Sequence, residues 1–409
     1  MKKIITLLFV GIIALSTNAQ VKEAGNITLG KNYLMVSKVL NETRNIQIYI
    51  PNSYKDSIKK VYPVLYVLDG QDYFNSAVSF QKMLIKRNKF PEFIVVGFQT
   101  DNRKRRALFD GNSENFINFL DSELIQFIDN NYRTRKAQER MFFGWEMAGG
   151  IGIEILAQKP NLFSGYIIAS PSHLSKTRLT SLEEHVKKEN NSDTPFLLMT
   201  AAPGENWLND DQQLRSFFNK KMHPELNWRY SILNREEHHT TPFKTLNEGI
   251  IDYFRNYKPV NFRSLKEYEE FGGLAALTAF YKKRGKRFNV STEIDRSTKM
   301  FILYYAVLEN NYEKFVYFEN AFEGHIESNT RASWFHRYGS FYLKNKNSKE
   351  ALYVYNYGLK KLGDSKLLYS GLGYVYAAKG EKRKAKKAYE KALSIDPIYK
   401  RALDGLNKL

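Results

Sequence analysis

The residues best placed for chemistry gather in one stretch, Met141–Gly150, where Gly144, Glu146 and Ala148 stand at alternate positions. An apolar run, Met141–Phe143, leads into the turn Gly144-Trp-Glu-Met-Ala-Gly-Gly150. A helical pattern follows over Ile151–Gln158, and Pro160 ends it. Strand, sharp turn and helix are the layout of a nucleophile elbow, in which small residues two before and two after the centre let a strained backbone pack tightly. Such a turn usually carries Ser at its centre, giving G-x-S-x-G; this one carries Glu146. The difference is chemical. A Ser hydroxyl is a neutral nucleophile that a histidine deprotonates. A carboxylate is already ionised at neutral pH and offers a base no proton to remove.

An elbow needs a sheet to hold it, and the flanking sequence supplies the strands. Asn32–Leu40 and Asn45–Ile50 are short strand-like runs, the second with Ile46, Ile48 and Ile50 at the alternation of a half-buried strand. Tyr62–Leu68, Phe93–Phe98, Arg140–Phe143, Tyr166–Ala169 and Pro195–Thr200 are near-continuous apolar runs, as expected of strands covered on both faces. Helical patterns lie between and after them, at Ser113–Asn131, Leu182–Lys188, Asp211–Lys221 and Lys244–Tyr257. Ser113–Asn131 is the clearest, with Phe116, Phe119, Leu120, Leu124, Phe127 and Ile128 on one face. The alternation predicts a doubly wound α/β sheet ending near Lys258-Pro259. His238 and His239 follow the apolar strand Trp228–Leu233 and precede a helix, so they fall on a loop at the carboxyl edge of that sheet.

Beyond Pro259 the strand signal disappears. Residues 264–288 read as helix, and from 296 onward the pattern is helical hairpins. Ala332–Gly363 and Lys366–Pro397 align at a separation of 34 residues: Gly339 with Gly373, Tyr342 with Tyr376, Ala351 with Ala385, Tyr355 with Tyr389. Small residues where helices cross, aromatics between them and a terminal breaker are the tetratricopeptide (TPR) pattern at its usual period. A degenerate copy is expected over about 297–326, and a capping helix over Tyr399–Leu409. The expected organisation is a signal peptide at 1–19, an α/β domain at 20–258, a helical linker at 259–295 and helical repeats at 296–409.

Composition narrows the function classes. Lys2 and Lys3, the apolar run Ile4–Leu15 and the small residues ending at Ala19 form a signal-peptide pattern, with cleavage expected after Ala19. That run is too short to span a bilayer comfortably, and no other stretch is long and apolar enough. The chain is therefore expected to be exported, to the periplasm or beyond. It has no Cys, which removes disulfides, thiolate catalysis, zinc–thiolate sites and an N-terminal lipid anchor on Cys. The formal net charge is +19, for which Lys-rich solvated helix faces are the ordinary explanation. No His/Asp/Glu set has metal-ligand spacing and no Gly-rich loop suits a nucleotide, so neither metal nor other cofactor is expected.

Residues 25–258 resemble the putative-esterase family of α/β-hydrolases, which includes enterochelin esterases and S-formylglutathione hydrolases. The resemblance rests on Val64–Phe74, Phe93–Asp101, the core Asn131–Ser172 with its Lys-Pro-Asn-Leu-Phe-Ser-Gly-Tyr-Ile-Ile-Ala-Ser-Pro-Ser, and His238-His-Thr-Thr-Pro242. It implies a carboxylic-ester hydrolase fold with His238 at the position of the base; His239 reads as a surface neighbour. The orienting acid is expected after the strand Pro195–Thr200. Glu205 is the first candidate in chain order, and Asp210 and Asp211 are alternatives. The resemblance also implies an oxyanion hole from the backbone N–H groups of Gln71 and Met147. Ser170 and Ser172 match a structural Ser-Pro-Ser. The run Arg103-Lys-Arg-Arg106 aligns with a loop near the pocket mouth, where it either meets an anionic substrate group or is simply solvated.

Glu146 departs from the family pattern and leaves three readings open. Serine-type hydrolysis is lost and the pocket binds a ligand or stands idle; or the carboxylate itself attacks an electrophilic carbon; or another residue supplies hydrolysis. Two functions compete accordingly. One is an exported esterase-type protein impaired at its elbow, with an ester-like small molecule as ligand. The other is a non-catalytic binding or scaffold protein, a pseudoenzyme that presents its TPR surface to a protein or peptide. Lys344, Lys346, Lys382 and Lys386 on the repeats would favour an acidic partner. Charge alone is too little to argue for nucleic acid.

Overall fold

The computed structural model describes residues 22–23, 26–86, 90–188, 195–205 and 228–409. The signal-peptide pattern, Asp210, Asp211 and the helix expected at Asp211–Lys221 lie outside the described residues.

Eight strands form one sheet: β1 (Lys31–Ser37), β2 (Glu42–Tyr49), β3 (Val64–Leu68), β4 (Ile94–Phe98), β5 (Arg140–Trp145), β6 (Gly165–Ala169), β7 (Phe196–Ala201) and β8 (Trp228–Ile232). Their order is β1-β2-β4-β3-β5-β6-β7-β8. β1 and β2 pair antiparallel, and β2 joins β4 antiparallel. From β4 to β8 every pairing is parallel. β3, β4, β6 and β7 are buried along their whole length, which is why they read as unbroken apolar runs. β1 is an exposed edge: Leu34 and Val36 point outward while Tyr33 and Met35 pack on the core.

Because the parallel strands run in the same direction, the segments after β3 to β8 all emerge at one edge of the sheet. This is where open α/β sheets place their ligands. The helix expected over Ser113–Asn131 begins and ends as expected but is not uniform. Two α segments, Ser113–Phe119 and Ile125–Asn131, flank a π turn at Leu120–Leu124, and another π turn occupies Ala107–Gly111.

The chain divides into two compact units, one comprising Met1–Met83 with Glu92–Ile250 and the other Leu84–Pro91 with Ile251–Leu409. Among the described residues the second contains helices and turns only. The helix expected over 264–288 is interrupted. Leu265–Glu270 and Gly273–Phe288 are separate, because Gly272 takes φ +103° and Gly273 φ +68°, values a right-handed helix cannot continue through. The repeats then follow as paired helices, Ala332–Lys344 with Ser348–Leu362 and Lys366–Ala378 with Lys382–Ile395, closed by Lys400–Asn407. The 34-residue period is a packing rule. A Cβ on Gly339 would lie 2.7 Å from the Tyr355 ring, and one on Gly371 would lie 2.2 Å from the same ring. One repeat later, Gly373 and Gly405 face Tyr389 at 2.3 and 2.4 Å. Each buried tyrosine is held between two glycines, so the small residues are needed where the rings insert.

Candidate active site

The elbow forms between β5 and the helix Met147–Gln158. Glu146 takes φ +55° and ψ −118°, the strained backbone expected at the centre of such a turn. Gly144 must be small, since a Cβ there would lie 2.3 Å from the Ala148 carbonyl oxygen. The turn is tied to the end of β6. Glu146 N donates to Ala169 O at 3.0 Å, while Glu146 O accepts from Gly150 N at 2.9 Å and Ser172 N at 3.0 Å.

The Glu146 side chain is met by Arg105. Arg105 Nη1 donates to Glu146 Oε2 at 2.5 Å. Arg105 Nε lies 3.1 Å from both oxygens of Asp69, and Nη2 donates to Asp69 Oδ2 at 2.9 Å and to the Trp145 carbonyl at 2.7 Å. Asp69 follows β3, and the Thr100 hydroxyl following β4 donates to it as well. Arg105 comes from the helix Asn102–Arg106, whose N-cap Asp101 accepts from Arg103 N. Burial pushes the Asp69 carboxyl above the ordinary carboxylate range, with Arg105 pulling against it. Burial acts to lower the Arg105 guanidinium, but Asp69 and Glu146 outweigh it and hold it above its usual value. The Arg105 and Asp69 side chains are 7% and 3% exposed, against 16% for Glu146, so the pair beneath is structural ground and the elbow carboxylate is its open end.

A second pair stands at the same edge. His238 Nδ1 lies 3.0 Å from Glu205 Oε1, and Ser170 Oγ donates to the same oxygen at 2.9 Å. The acid follows β7 and the histidine follows β8, which are adjacent in the sheet. The Trp145 ring bridges the groups: its centroid is 4.7 Å from that of His238 and 5.9 Å from that of His239, and the Arg105 guanidinium sits over it at 5.4 Å. Met147 is the first residue of its helix and Gln71 the second of the helix Gly70–Ile85, positions where backbone N–H groups have no acceptor within the helix. The Gln71 carboxamide pins the adjoining loop, accepting from Thr100 N at 3.0 Å.

Glu146, His238 and Glu205, the candidates read from the sequence, all stand at the carboxyl edge of the sheet, where Glu146 pairs with Arg105 and His238 with Glu205. Two members that sequence reasoning missed are Asp69, which reads as part of an Asp-Gly turn, and Arg105, hidden in a basic run. The other three residues of that run are exposed, so its composition describes them well and Arg105 poorly. Ser170 has a role it was not given, as a hydrogen-bond donor to the candidate acid.

A mostly parallel sheet with an elbow after β5 and a histidine–carboxylate pair at its carboxyl edge defines an α/β-hydrolase-like protein. Residues 37–239 match the family described as putative esterase, and residues 367–399 match a tetratricopeptide repeat, so the chain carries a putative-esterase domain with TPR repeats after it. It is 26% identical over 197 residues to ferri-bacillibactin esterase BesA of Bacillus subtilis, covering 40% of this chain and 67% of that one. Among solved structures it is similar to an IroE-like serine hydrolase from Shewanella oneidensis, with TM-score 0.52 and 22% identity, over 71% of this chain and 98% of that one. An uncharacterised protein from Capnocytophaga ochracea aligns with TM-score 0.57 and 20% identity, over 85% of this chain and 99% of that one.

Proposed function

We propose that this protein is an exported, esterase-like α/β-hydrolase that does not carry out serine-type ester hydrolysis. In this reading Glu146 occupies the nucleophile position, His238 the base position and Glu205 that of its acid, with Gln71 and Met147 as backbone oxyanion donors. The observation that carries it is the ion pair between Glu146 and Arg105 at the elbow. A carboxylate bound to a guanidinium is charge-balanced and a weak nucleophile, and it gives His238 no hydroxyl to activate. BesA is named as an esterase of ferri-bacillibactin, which supports an ester-like small molecule as the ligand of this edge.

Hydrolysis of p-nitrophenyl esters of short acids tests the proposal, with the native protein compared with Glu146→Ser. The native protein is expected to stay near the uncatalysed rate. Glu146→Ser is expected to gain activity, because loss of a triad nucleophile typically costs several orders of magnitude. Native turnover equal to that of Glu146→Ser would overturn the reading.

The TPR match favours a second reading, in which the protein acts by binding a protein or peptide through its helical repeats. A pull-down with the full-length protein as bait, competed by a fragment spanning Ile251–Leu409, tests it. Absence of any competable partner would count against it.

A further inference from the structure

We propose a second small-molecule site at the opposite edge of the sheet from the elbow, one that takes an aromatic anion. The site is a cavity of about 620 Å³ whose lining includes Lys31, Lys55, Lys82, Tyr33, Tyr49 and Tyr54. That volume is within the range of small-molecule pockets. Its place follows from the register: Tyr49 at the end of β2 pairs with Val95 near the start of β4, whereas the elbow follows the carboxyl end of the parallel strands.

Three features specify the ligand. The first is charge. Lys31 comes from β1, Lys55 from the short helix Ser53–Asp56 and Lys82 from the helix Gly70–Ile85, so three separate elements bring ammonium groups to one cavity. Among the described residues none of the three makes an ion pair, and no acidic side chain lines the cavity. Glu92, whose charge reaches Tyr49, is already taken by Lys60 at 2.5 Å and by the Ser53 hydroxyl. Cations gathered in a concave, partly apolar site raise the local concentration of anions.

The second feature is the flat walls. Tyr33, Tyr49 and Tyr54 all line the one cavity, and aromatic side chains favour another ring as a neighbour. The third is rigidity. The Arg133 guanidinium stacks 3.6 Å from the centroid of the Tyr54 ring. Arg133 N donates to Tyr54 Oη at 3.0 Å, and Arg133 Nη2 donates to the Tyr54 carbonyl. The Tyr62 ring lies against it at 5.4 Å. A wall fixed before binding loses little freedom when a ligand arrives. An inorganic anion would use the lysines and leave the rings idle, and a neutral aromatic would do the reverse. A ring bearing a carboxylate or sulfonate uses both.

Equilibrium titration of the full-length protein tests this with three probes: 2-naphthoate, acetate and 2-naphthol. The first has ring and charge, the second only charge, the third only the ring. We expect saturable 2-naphthoate binding, about tenfold or more tighter than either partial probe. The triple variant Lys31→Gln/Lys55→Gln/Lys82→Gln is expected to lose about tenfold or more of that affinity. A control with Lys349→Gln, Lys360→Gln and Lys400→Gln, equal in charge removed but exposed on the helical unit, is expected to keep it. No saturable 2-naphthoate binding in the millimolar range overturns the proposal. So does equal affinity for acetate or 2-naphthol, or undiminished binding by the first triple variant.

Discussion

At the scale of single residues, the elbow of this protein is an ion cluster. Asp69, Arg105 and Glu146 alternate in charge, and two of the three are almost fully buried. The two ends of the cluster therefore respond differently to mutation. Arg105→Met leaves the buried Asp69 without its cation, and breaking a buried pair from one side costs about 3–5 kcal/mol. Glu146→Ser leaves Arg105 with Asp69 and puts a small residue into the strained turn, so its loss of stability should stay below about 1 kcal/mol. Urea denaturation of the two variants checks the ordering, and equal losses would contradict it. The elbow was legible in the sequence because its spacing rule is local, with Gly144 and Ala148 two residues either side of Glu146. The cluster was not, because Asp69 and Arg105 lie 36 residues apart and meet only once β3 and β4 run side by side. Charge in a run such as Arg103–Arg106 does not reveal which guanidinium is buried.

At the scale of elements, periodicity found nearly every strand. Runs such as Val64–Leu68 are buried on both faces and need no context to stand out. What it could not find were interruptions inside a helix. The π turn at Leu120–Leu124 keeps the apolar face continuous, so the pattern over Ser113–Asn131 conceals it. The break at Gly272 depends on backbone angles that a hydrophobic pattern does not encode. The repeats carry a sharper prediction. Gly373→Ala would put a Cβ 2.3 Å from the Tyr389 ring, where the ring must shift, and overpacking of this kind costs about 1–3 kcal/mol. Gly363→Ala is no substitute control, because Gly363 has φ +81°; Ala378→Ser on the exposed end of the same hairpin is suitable. Thermal melts followed by circular dichroism at 222 nm, a wavelength read by helices in general, should show Gly373→Ala melting lower than the control. A Gly373→Ala protein as stable as the native one would mean the tyrosine has room that the packing denies.

At the scale of the whole molecule, the chain forms two compact units, and the helical one carries a titration signature. Burial, aided by Arg296 and Lys299, lowers His325 from 6.5 to about 4, and burial with Arg401 lowers His336 to about 4. Both histidines are held neutral in the folded state. The unfolded chain binds their protons first, so their contribution is complete above pH 6.5 and is lost as pH falls toward 4. The helical unit should therefore weaken across that window, by on the order of 2–3 kcal/mol for each histidine. His325→Gln should flatten the dependence in urea melts taken at a series of pH values. A slope unchanged by that substitution would contradict the assignment. For the other unit, we propose that an esterase-type fold is kept while the serine chemistry at its elbow is not. Labelling of the full-length protein by a fluorophosphonate probe, read by intact-protein mass spectrometry, tests this most directly, because the probe reports only an activated hydroxyl. The account predicts no adduct on the native protein and a single adduct on Glu146→Ser, at residue 146. A stoichiometric adduct on the native protein would contradict it.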